Sequence, residues 1–389
     1  MIKNKDSLKC ILTGSRKFKK IFSLKNFPIY LGVVKKKFKC EFLDLNFLIN
    51  RLSGTVQIYP RVNLKKLYFK SHGSGSVGET WKKHHSLFFN MIFKYLKGNI
   101  IEVGGGSNSI GIAGKINTKK NIKIYTFDPT SSLRTKDNLK VIRNFFSEKE
   151  LSLNKVKKNS ISLVVHSHVA EHMYDIKKFF LLIHKYLSND DGYHIFSIPN
   201  MEAMIKQGFS NAVNFEHPVY LNDRLVDKLL YVTNFKIIKK KYFRKDHSIF
   251  YITKKICSSK KKEITKNFLK KMYINNYKIF LDFFDLWNKD VKNINKILKI
   301  QNSKYYLFGA HIFSQFLIKF GLNLKNVICI LDNDPLKKNF YLYGTKLRVL
   351  SPNILRNKKN PLILMRAAQY SKEIKKQILN NINPSVKFI

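Results

Sequence analysis

The chain is 389 residues long and 44% hydrophobic, which excludes an intrinsically disordered protein and predicts two or three folded domains. It carries 73 lysines and arginines against 25 aspartates and glutamates, for a formal net charge of +48. Only ten of the basic residues are arginines, and the 63 lysines are spread from end to end, so the charge indicates compositional bias and no nucleic-acid partner is expected.

The four cysteines, Cys10, Cys40, Cys257 and Cys329, are widely spaced and never form a Cys-x-x-Cys pair, so they predict no disulfide framework. No stretch approaches the ~18 apolar residues that span a bilayer, and residues 1–14 contain no apolar run of signal-peptide length. The sequence therefore predicts a cytoplasmic protein without a membrane span, and it leaves the oligomeric state open.

Residues 1–98 predict a small auxiliary module. Short apolar segments lie at 21–34 and 38–49, a Gly/Ser loop follows at 71–78, and residues 79–96 have apolar residues at helical spacing. This last stretch predicts a helix that leads directly into the next domain.

Residues 99–254 predict an α/β core in which strands and helices alternate. The predicted strands are 99–103, 122–127, 140–142, 161–165 and 194–198, with a helix at 176–187 and a hairpin formed by 235–243 and 248–253. Such alternation is typical of a parallel sheet with helices on both faces.

The remaining chain predicts a helical connector over 255–300 and a second, smaller α/β domain over 301–389. In the latter, a strand at 305–308 enters a Gly-Ala-His turn, a helix follows, and a strand at 327–331 delivers Asp332. The predicted fold class is therefore α/β, with a Rossmann-like core, a small N-terminal domain and a smaller Rossmann-like C-terminal domain.

The segment Glu102-Val-Gly-Gly-Gly-Ser-Asn108 follows a predicted strand and precedes a helix. Glycines there let the backbone turn tightly and let a ligand approach without side-chain obstruction. Asp128 ends the next strand, where a carboxylate can accept both hydroxyls of a ribose, while Glu102 suits a cationic amino-acid group. Together they predict a nucleotide-type site, although each acid could also serve an ordinary turn or helix start.

The fourth strand opens into His166-Ser-His-Val-Ala-Glu-His172. Residues beyond the carboxyl ends of parallel strands line the ligand crevice of an open sheet. The histidine spacing fits neither a zinc finger nor His-Glu-x-x-His, so no metal site is expected, and His166 and His168 could equally be buried, hydrogen-bonded side chains.

With these motifs, residues 99–253 resemble a class I S-adenosylmethionine-dependent methyltransferase. The order Glu102-x-Gly-x-Gly, Asp128, His168-Val-Ala-Glu-His172 and Ile195-Phe-Ser-Ile-Pro-Asn200 follows that family. The resemblance implies S-adenosylmethionine as cofactor, with Glu102, Gly104 and Gly106 at its methionine end, Asp128 at the ribose and Phe145 or Phe146 at the adenine. His166 is included in this implied cofactor set.

The rest of the chain resembles the sugar C-methyltransferases. The resemblance is carried by Ser76-Val-Gly-Glu-Thr-Trp-Lys-Lys-His-His85, Asn214-Phe-Glu-His217, Phe308-Gly-Ala310, Leu331-Asp-Asn-Asp-Pro335, Gly344 and Leu350-Ser-Pro352. It implies methyl transfer to a nucleotide-linked deoxysugar held between the core and the C-terminal domain, in surface polysaccharide or glycan biosynthesis. Sugar O-methylation, RNA methylation and non-catalytic sugar-nucleotide binding remain alternatives.

The implied catalytic residues are His217 as general base, Glu216 to position the sugar or the imidazole, and His172 as a second polar contact to the acceptor. A neutral imidazole near pH 7 is a suitable base. Arg366 and Asp332 are candidate substrate contacts in the C-terminal domain.

Two departures from the family pattern stand out. The N-terminal region has Cys10 and Cys40 where the family has paired zinc ligands, so a metal-free remnant is expected and zinc is not. Asn214 and Val77 occupy positions where the family has tyrosines that stabilise a developing enolate, which makes the carbon acceptor less secure than the methyl transfer.

Overall fold

Four β-sheets organise the part of the chain that the structure describes. The computed structural model describes residues 8–36, 38–67, 78–105, 122–136, 138–258 and 262–389. Predicted residues outside these ranges include Gly106 and Val77.

The N-terminal sheet is antiparallel, with the strand order β1 (Phe18–Pro28), β3 (Phe42–Asn50) and β4 (Val56–Tyr59). A short helix, α1 (Leu64–Leu67), follows it. Between β1 and β3, strand β2 (Val33–Val34) pairs with β14 (Tyr341–Leu342), far away in sequence. This pairing joins the beginning of the chain to its C-terminal region.

The central sheet has seven strands in the order β10-β11-β9-β8-β5-β6-β7. Their ranges are β5 (Asn99–Val103), β6 (Lys123–Phe127), β7 (Leu139–Ile142), β8 (Leu163–Ser167), β9 (Tyr193–Pro199), β10 (Phe235–Phe243) and β11 (Ser248–Lys255). The pairs that β11 forms with β10 and with β9 are antiparallel, and the other strand pairs of this sheet are parallel. The chain reverses its direction of travel across the sheet between β5 and β8, which is where open α/β sheets bind ligands.

Helices cover both faces of this sheet because neighbouring residues of a strand point to opposite sides. Ile100 of β5 packs in one cluster with Phe88 and Ile92, whereas Ile101 packs in another with Phe180. The helices here are α2 (Glu79–Phe93), α3 (Glu148–Leu153), α4 (Ile176–Tyr186), α5 (Met201–Lys206) and α6 (Asp223–Val232). Since both faces are buried, the central strands are almost continuously apolar.

The long helix α7 (Lys266–Gln301) connects the central sheet to the C-terminal part and packs on both neighbours. Its Phe284 stacks on Phe22 of β1 with ring centroids 4.0 Å apart. Its Trp287 lies 4.9 Å from Phe316 and donates a hydrogen bond to the Gly208 carbonyl oxygen (3.0 Å). The connector is therefore part of one continuous hydrophobic core.

The C-terminal sheet is entirely parallel, in the order β15-β13-β12-β16-β17. Its strands are β12 (Tyr305–Phe308), β13 (Val327–Leu331), β15 (Val349–Leu350), β16 (Leu362–Met365) and β17 (Lys387–Phe388), with helices α8 (Ile312–Lys319) and α9 (Ser371–Asn381). Short 3₁₀ helices lie at Ala170–His172, Ser210–Ala212, Pro335–Lys337, Pro352–Leu355 and Ala368–Tyr370.

The predicted fold class, a mixed α/β protein with a Rossmann-like parallel sheet, is confirmed. The hairpin of β10 and β11 is also present, with β10 at the sheet edge. Among the described residues, no helix is both long enough and apolar enough to span a membrane.

Candidate active site

The carboxyl ends of β5, β6 and β8 lie side by side where the order of strands along the sheet reverses, which is where open α/β sheets bind ligands, and we call this edge the crevice. Gly104 follows β5, Asp128 follows β6 and His168 follows β8. The Gly104 N–H donates to the Phe127 carbonyl oxygen (2.8 Å), which binds the first turn to the neighbouring strand. His168 has φ +53°, a left-handed backbone conformation that is uncommon for residues other than glycine.

The turn after β5 has two glycines at positions where the Cβ atom of any other residue would clash with neighbouring side chains. Gly104 has φ +74°, and a Cβ atom there would lie 2.5 Å from Cγ2 of Val169. A Cβ at Gly105 would lie 2.2 Å from Oγ1 of Thr126 and 2.7 Å from Oε2 of Glu102. The turn after β5 is therefore held tightly between strand β6 and the loop after β8.

The two predicted acids occupy different environments. Glu102 is fully buried beneath Gly105, and the Thr126 hydroxyl donates to its Oε2 (3.4 Å), so its carboxylate lies under the glycine turn. Asp128 is half-buried, and its Oδ1 accepts hydrogen bonds from the Thr130 N–H (2.7 Å) and hydroxyl (2.9 Å). None of the described residues donates to Oδ2 of Asp128, so that oxygen can accept a ligand hydroxyl.

The two predicted aromatic alternatives also differ. Phe145 is half-buried and follows β7 by a few residues. Phe146 packs edge-on against Phe127 and Phe179, with ring centroids 5.2 and 5.8 Å away, and is a core residue. Of the two, Phe145 is the one whose ring does not pack in the described hydrophobic core.

His166 lies in the core on the α4 side of the sheet. Its Nε2 is 2.9 Å from Nε2 of His194, and its ring stacks on Phe196. Burial, and then the charge of His168, lowers the pKa of His166 to about 3. This residue is therefore a neutral, hydrogen-bonded core histidine, and it lies on the opposite face of the sheet from Glu102.

His172 and His217, both predicted as catalytic, lie side by side with ring centroids 5.0 Å apart. The His172 Nδ1–H donates to the Glu216 carbonyl oxygen (2.9 Å), and the His217 Nδ1–H donates to the Ala212 carbonyl oxygen (3.0 Å). These bonds fix the same tautomer in both rings, with the lone pair on Nε2. Burial, and then the charge of His172, lowers the pKa of His217 to about 3, so its imidazole is neutral.

The carboxyl group beside both imidazoles belongs to Glu171, which the site prediction missed. One of its oxygens lies within 4.8 Å of a ring nitrogen of His172 and of His217. Glu171 is 1% exposed, and burial raises its pKa to about 7 against the opposing effect of His172. The signal for Glu171 in the sequence was its position three residues after His168. In the structure, Oε1 of Glu171 lies 3.2 Å from Nδ1 of His168.

Glu216 contributes to this pair through its backbone rather than through its carboxyl group. Burial raises the pKa of Glu216 to about 8, so its carboxyl is protonated at neutral pH. Tyr30, which precedes β2, lies near it, and burial together with the charge of Glu216 raises the pKa of that phenol to about 12. Both groups are therefore hydrogen-bond donors near pH 7.

Asn214, found where a tyrosine was expected, shapes the loop that carries Glu216 and His217. Its Oδ1 accepts a hydrogen bond from the Glu216 N–H (2.8 Å), and its Nδ2 donates to the Asn211 carbonyl oxygen (3.2 Å). The amide thus closes a local turn, as asparagine commonly does.

The crevice and the imidazole pair share one loop. Val169 contacts Gly104 on one side, and its carbonyl oxygen accepts the His172 N–H (3.0 Å) on the other. Val169 therefore links the end of β5 to the loop that carries His172.

The C-terminal candidates are both engaged within the protein. Arg366 forms a bidentate ion pair with Asp290 of α7 (2.7 and 2.9 Å). Asp332 accepts the Ala310 N–H (2.8 Å) and lies 3.2 Å from Nζ of Lys337.

Cys10 and Cys40 do not meet. The Cys10 sulfur contacts the hydroxyls of Ser53 and Thr55 (3.1 Å each), and the Cys40 sulfur accepts the Gly344 N–H (3.2 Å). Within the described residues, two clusters have the donor spacing for a metal ion, and neither includes a cysteine. They are Glu171, His172 and His217, and His84, His168 and His247.

No protein-family model and no curated protein sequence matches the chain. Several solved structures are similar to it. A putative S-adenosylmethionine-dependent methyltransferase from Listeria monocytogenes is 10% identical, with a TM-score of 0.34 over 44% of this chain and 98% of that protein. The CurJ carbon methyltransferase is 10% identical, with a TM-score of 0.36 over 48% of this chain and 57% of CurJ. An arsenic(III) methyltransferase from Chlamydomonas reinhardtii is 15% identical, with a TM-score of 0.31 over 41% of this chain and 65% of that one. The strand order itself, and not these likenesses, defines the fold.

Proposed function

We propose that the protein transfers a methyl group from S-adenosylmethionine to a carbon next to a keto group of a nucleotide-linked sugar, in surface polysaccharide or glycan biosynthesis. The observation that carries the proposal is the joining of two sites by Val169: a glycine-turn crevice at the strand ends and a pair of neutral imidazoles. Acceptor methylation needs a donor held in line with an acceptor and a base that removes the acceptor's proton.

The described part of the crevice fits the cofactor. Gly104 exposes backbone where a side chain would clash, and Asp128 keeps Oδ2 for the ribose hydroxyls. Phe145 is the proposed adenine contact, and Gly106 lies outside the described residues. When bound, S-adenosylmethionine supplies a methyl group activated by its sulfonium.

His217 acts as the base in this proposal. Its Nδ1–H is held by the Ala212 carbonyl, so the lone pair of Nε2 is available to remove the proton from the acceptor carbon. The ring then becomes an imidazolium, whose charge the Glu171 carboxylate would offset. His172, with the same tautomer, gives a second polar contact to the sugar.

Glu216 replaces the missing tyrosines as hydrogen-bond donor. A carboxylic acid kept protonated by burial can donate to a developing enolate oxygen, and its pKa of about 8 keeps it protonated at neutral pH. Tyr30, close enough for the charge of Glu216 to affect its pKa, is proposed as a further donor through its phenol.

The acceptor is proposed to lie between the core and the N- and C-terminal domains. Gln315 of α8 donates to the carbonyl oxygens of both Tyr30 and Tyr343 (2.9 and 3.1 Å). The three regions of the chain therefore converge near Glu216, which supports a substrate held among them.

The test is to incubate the purified protein with S-adenosylmethionine and a panel of nucleotide sugars, with and without a 4-keto group, and to measure demethylated cofactor. Turnover that requires the keto group is the expected result. Turnover only on sugars without a keto group would move the acceptor to a hydroxyl oxygen. Turnover on RNA alone, or cofactor binding with no turnover on any sugar, would overturn the proposal.

A further inference from the structure

Three histidines from distant parts of the chain meet beside the proposed active site. They are His84 of α2, His168 in the loop after β8 and His247 in the turn between β10 and β11. One ring nitrogen of each lies within 4.8 Å of one ring nitrogen of the others. The half-buried Trp81 packs against all three rings, with centroid distances of 5.2, 5.0 and 4.7 Å.

The burial of His84 requires a partner that the described protein does not supply. The residue is 0% exposed, and neither of its ring nitrogens has a hydrogen-bond partner in the described part of the chain. Nε2 of His247, which is 2% exposed, also lacks one. A buried polar group left without a partner destabilises the fold, so a cluster of such nitrogens indicates a bound group.

The surroundings of His168 match those of a metal-ligating histidine. Glu171, almost completely buried, places Oε1 3.2 Å from Nδ1 of His168. A carboxylate that accepts the Nδ1–H of a ligand histidine orients the ring and directs Nε2 at the ion. The same carboxylate supplies a negative charge next to the bound cation.

We propose that His84, His168 and His247 bind a divalent transition metal such as zinc, with Glu171 as the carboxylate behind His168. Three neutral imidazoles suit zinc, cobalt, nickel or copper rather than magnesium or calcium, which prefer oxygen. The bound ion would connect α2, the loop after β8 and the β10–β11 turn, and so hold the loop that carries Glu171 and His172.

Ser248 is the group that must adjust. Its Oγ is 2.9 Å from Nε2 of His168 and 2.6 Å from Nδ1 of His247. Ion binding replaces the hydrogen bond to Nε2 of His168, whereas the bond to Nδ1 of His247 can remain, so Ser248→Ala should still bind the metal. This variant is a matched control because it alters the cluster without removing an imidazole.

The experiment measures the zinc content of the full-length chain after removal of metal by a chelator, addition of zinc and gel filtration. About one ion per chain is expected for the unsubstituted protein and for Ser248→Ala. His84→Phe, whose ring fits among Phe88, Phe243 and Phe250, should lose the ion. His217→Ala should keep it, since His217 belongs to the other cluster.

A second readout does not depend on how a variant folds. The cobalt-loaded unsubstituted protein should show visible d–d absorption without the near-ultraviolet thiolate-to-cobalt band, because no cysteine is a ligand. Absence of stoichiometric metal, a thiolate band, or loss of the ion in His217→Ala but not in His84→Phe would each overturn the proposal. None of these readouts requires methyl transfer, so failure of the proposed function would leave the result unaffected.

Discussion

At the scale of single residues, backbone carbonyls determine the chemistry of the imidazole pair. His172 and His217 each donate Nδ1–H to a main-chain oxygen, and this leaves both Nε2 atoms as acceptors. Burial keeps His217 neutral, so its lone pair is free at neutral pH; the same burial makes it a weaker base, so the imidazolium that it forms depends on the neighbouring Glu171 carboxylate. The proposed role of His217 therefore depends on the position of the Ala212 carbonyl oxygen, which holds its Nδ1–H.

His217→Ala should lower kcat by roughly 10²–10⁴-fold, the usual range for loss of a general base, because the remaining imidazole, His172, is assigned to hold the sugar. Affinity for S-adenosylmethionine, measured by calorimetry, should be unchanged. His184→Ala is the control, since His184 hydrogen-bonds with the Ile256 carbonyl away from the crevice. Retention of the full rate in His217→Ala would refute its assignment as the base.

The protonated state of Glu216 predicts a pH dependence. Its pKa, raised to about 8 by burial, means that the carboxyl donates a hydrogen bond below this pH and becomes a repelling carboxylate above it. The kcat of the unsubstituted enzyme should therefore fall as pH rises through about 8, as read from rates between pH 6 and 9.5 at saturating substrate. Glu216→Gln keeps a donor at every pH, so its profile should lack this fall. An identical fall in both proteins would assign the titration to another group.

At the scale of secondary-structure elements, the crevice depends on how closely three strand ends approach. Gly104 and Gly105 allow the turn after β5 to pass between Thr126 of β6 and Val169 after β8. A single methyl group at either position would push these elements apart, since interiors are close-packed.

Gly105→Ala should reduce the free energy of unfolding by about 1–3 kcal/mol through overpacking and weaken binding of S-adenosylmethionine. Adding Thr126→Ala removes the oxygen that lies 2.2 Å from the new Cβ, so the double variant should regain part of both losses. Thermal unfolding and calorimetric titration would measure them. Additive losses in the double variant would show that the contact with Thr126 is not the cause.

At the scale of the whole molecule, the regions are joined by specific polar ties as well as by the shared core. Glu373 of α9 accepts hydrogen bonds from the Glu79 N–H (3.1 Å) and the Thr80 hydroxyl (3.2 Å) at the start of α2. Arg366 holds α7 through Asp290. These contacts fix the C-terminal sheet against the helix that carries Trp81 and His84.

Arg366→Lys tests whether this residue binds substrate or joins domains. Lysine keeps the positive charge but loses the two-pronged contact with Asp290, so stability should fall by about 1 kcal/mol, while KM for the nucleotide sugar should not change. Asp290→Asn should cause a similar loss, and the two substitutions together should cost no more than one alone. A raised KM with unchanged unfolding would instead support the anion-binding role.

The sequence by itself predicted the seven strands of the central sheet and the first two strands of the C-terminal sheet, because hydrophobic spacing and glycine turns act over a few neighbouring residues. The glycine turn after β5 and Asp128 after β6 were recognisable for the same reason. The boundaries shifted slightly, as with α2, which ends at Phe93 rather than at residue 96.

Only the tertiary structure decided which side chains meet. Glu171, rather than the Glu216 carboxyl, lies beside the imidazoles, and Arg366 is used by Asp290. His84, His168 and His247 form a cluster although 163 positions separate the first from the last. These contacts depend on the pairing of β5 with β8 and on how α2 packs over the sheet, and such long-range geometry leaves no periodic signal in the sequence.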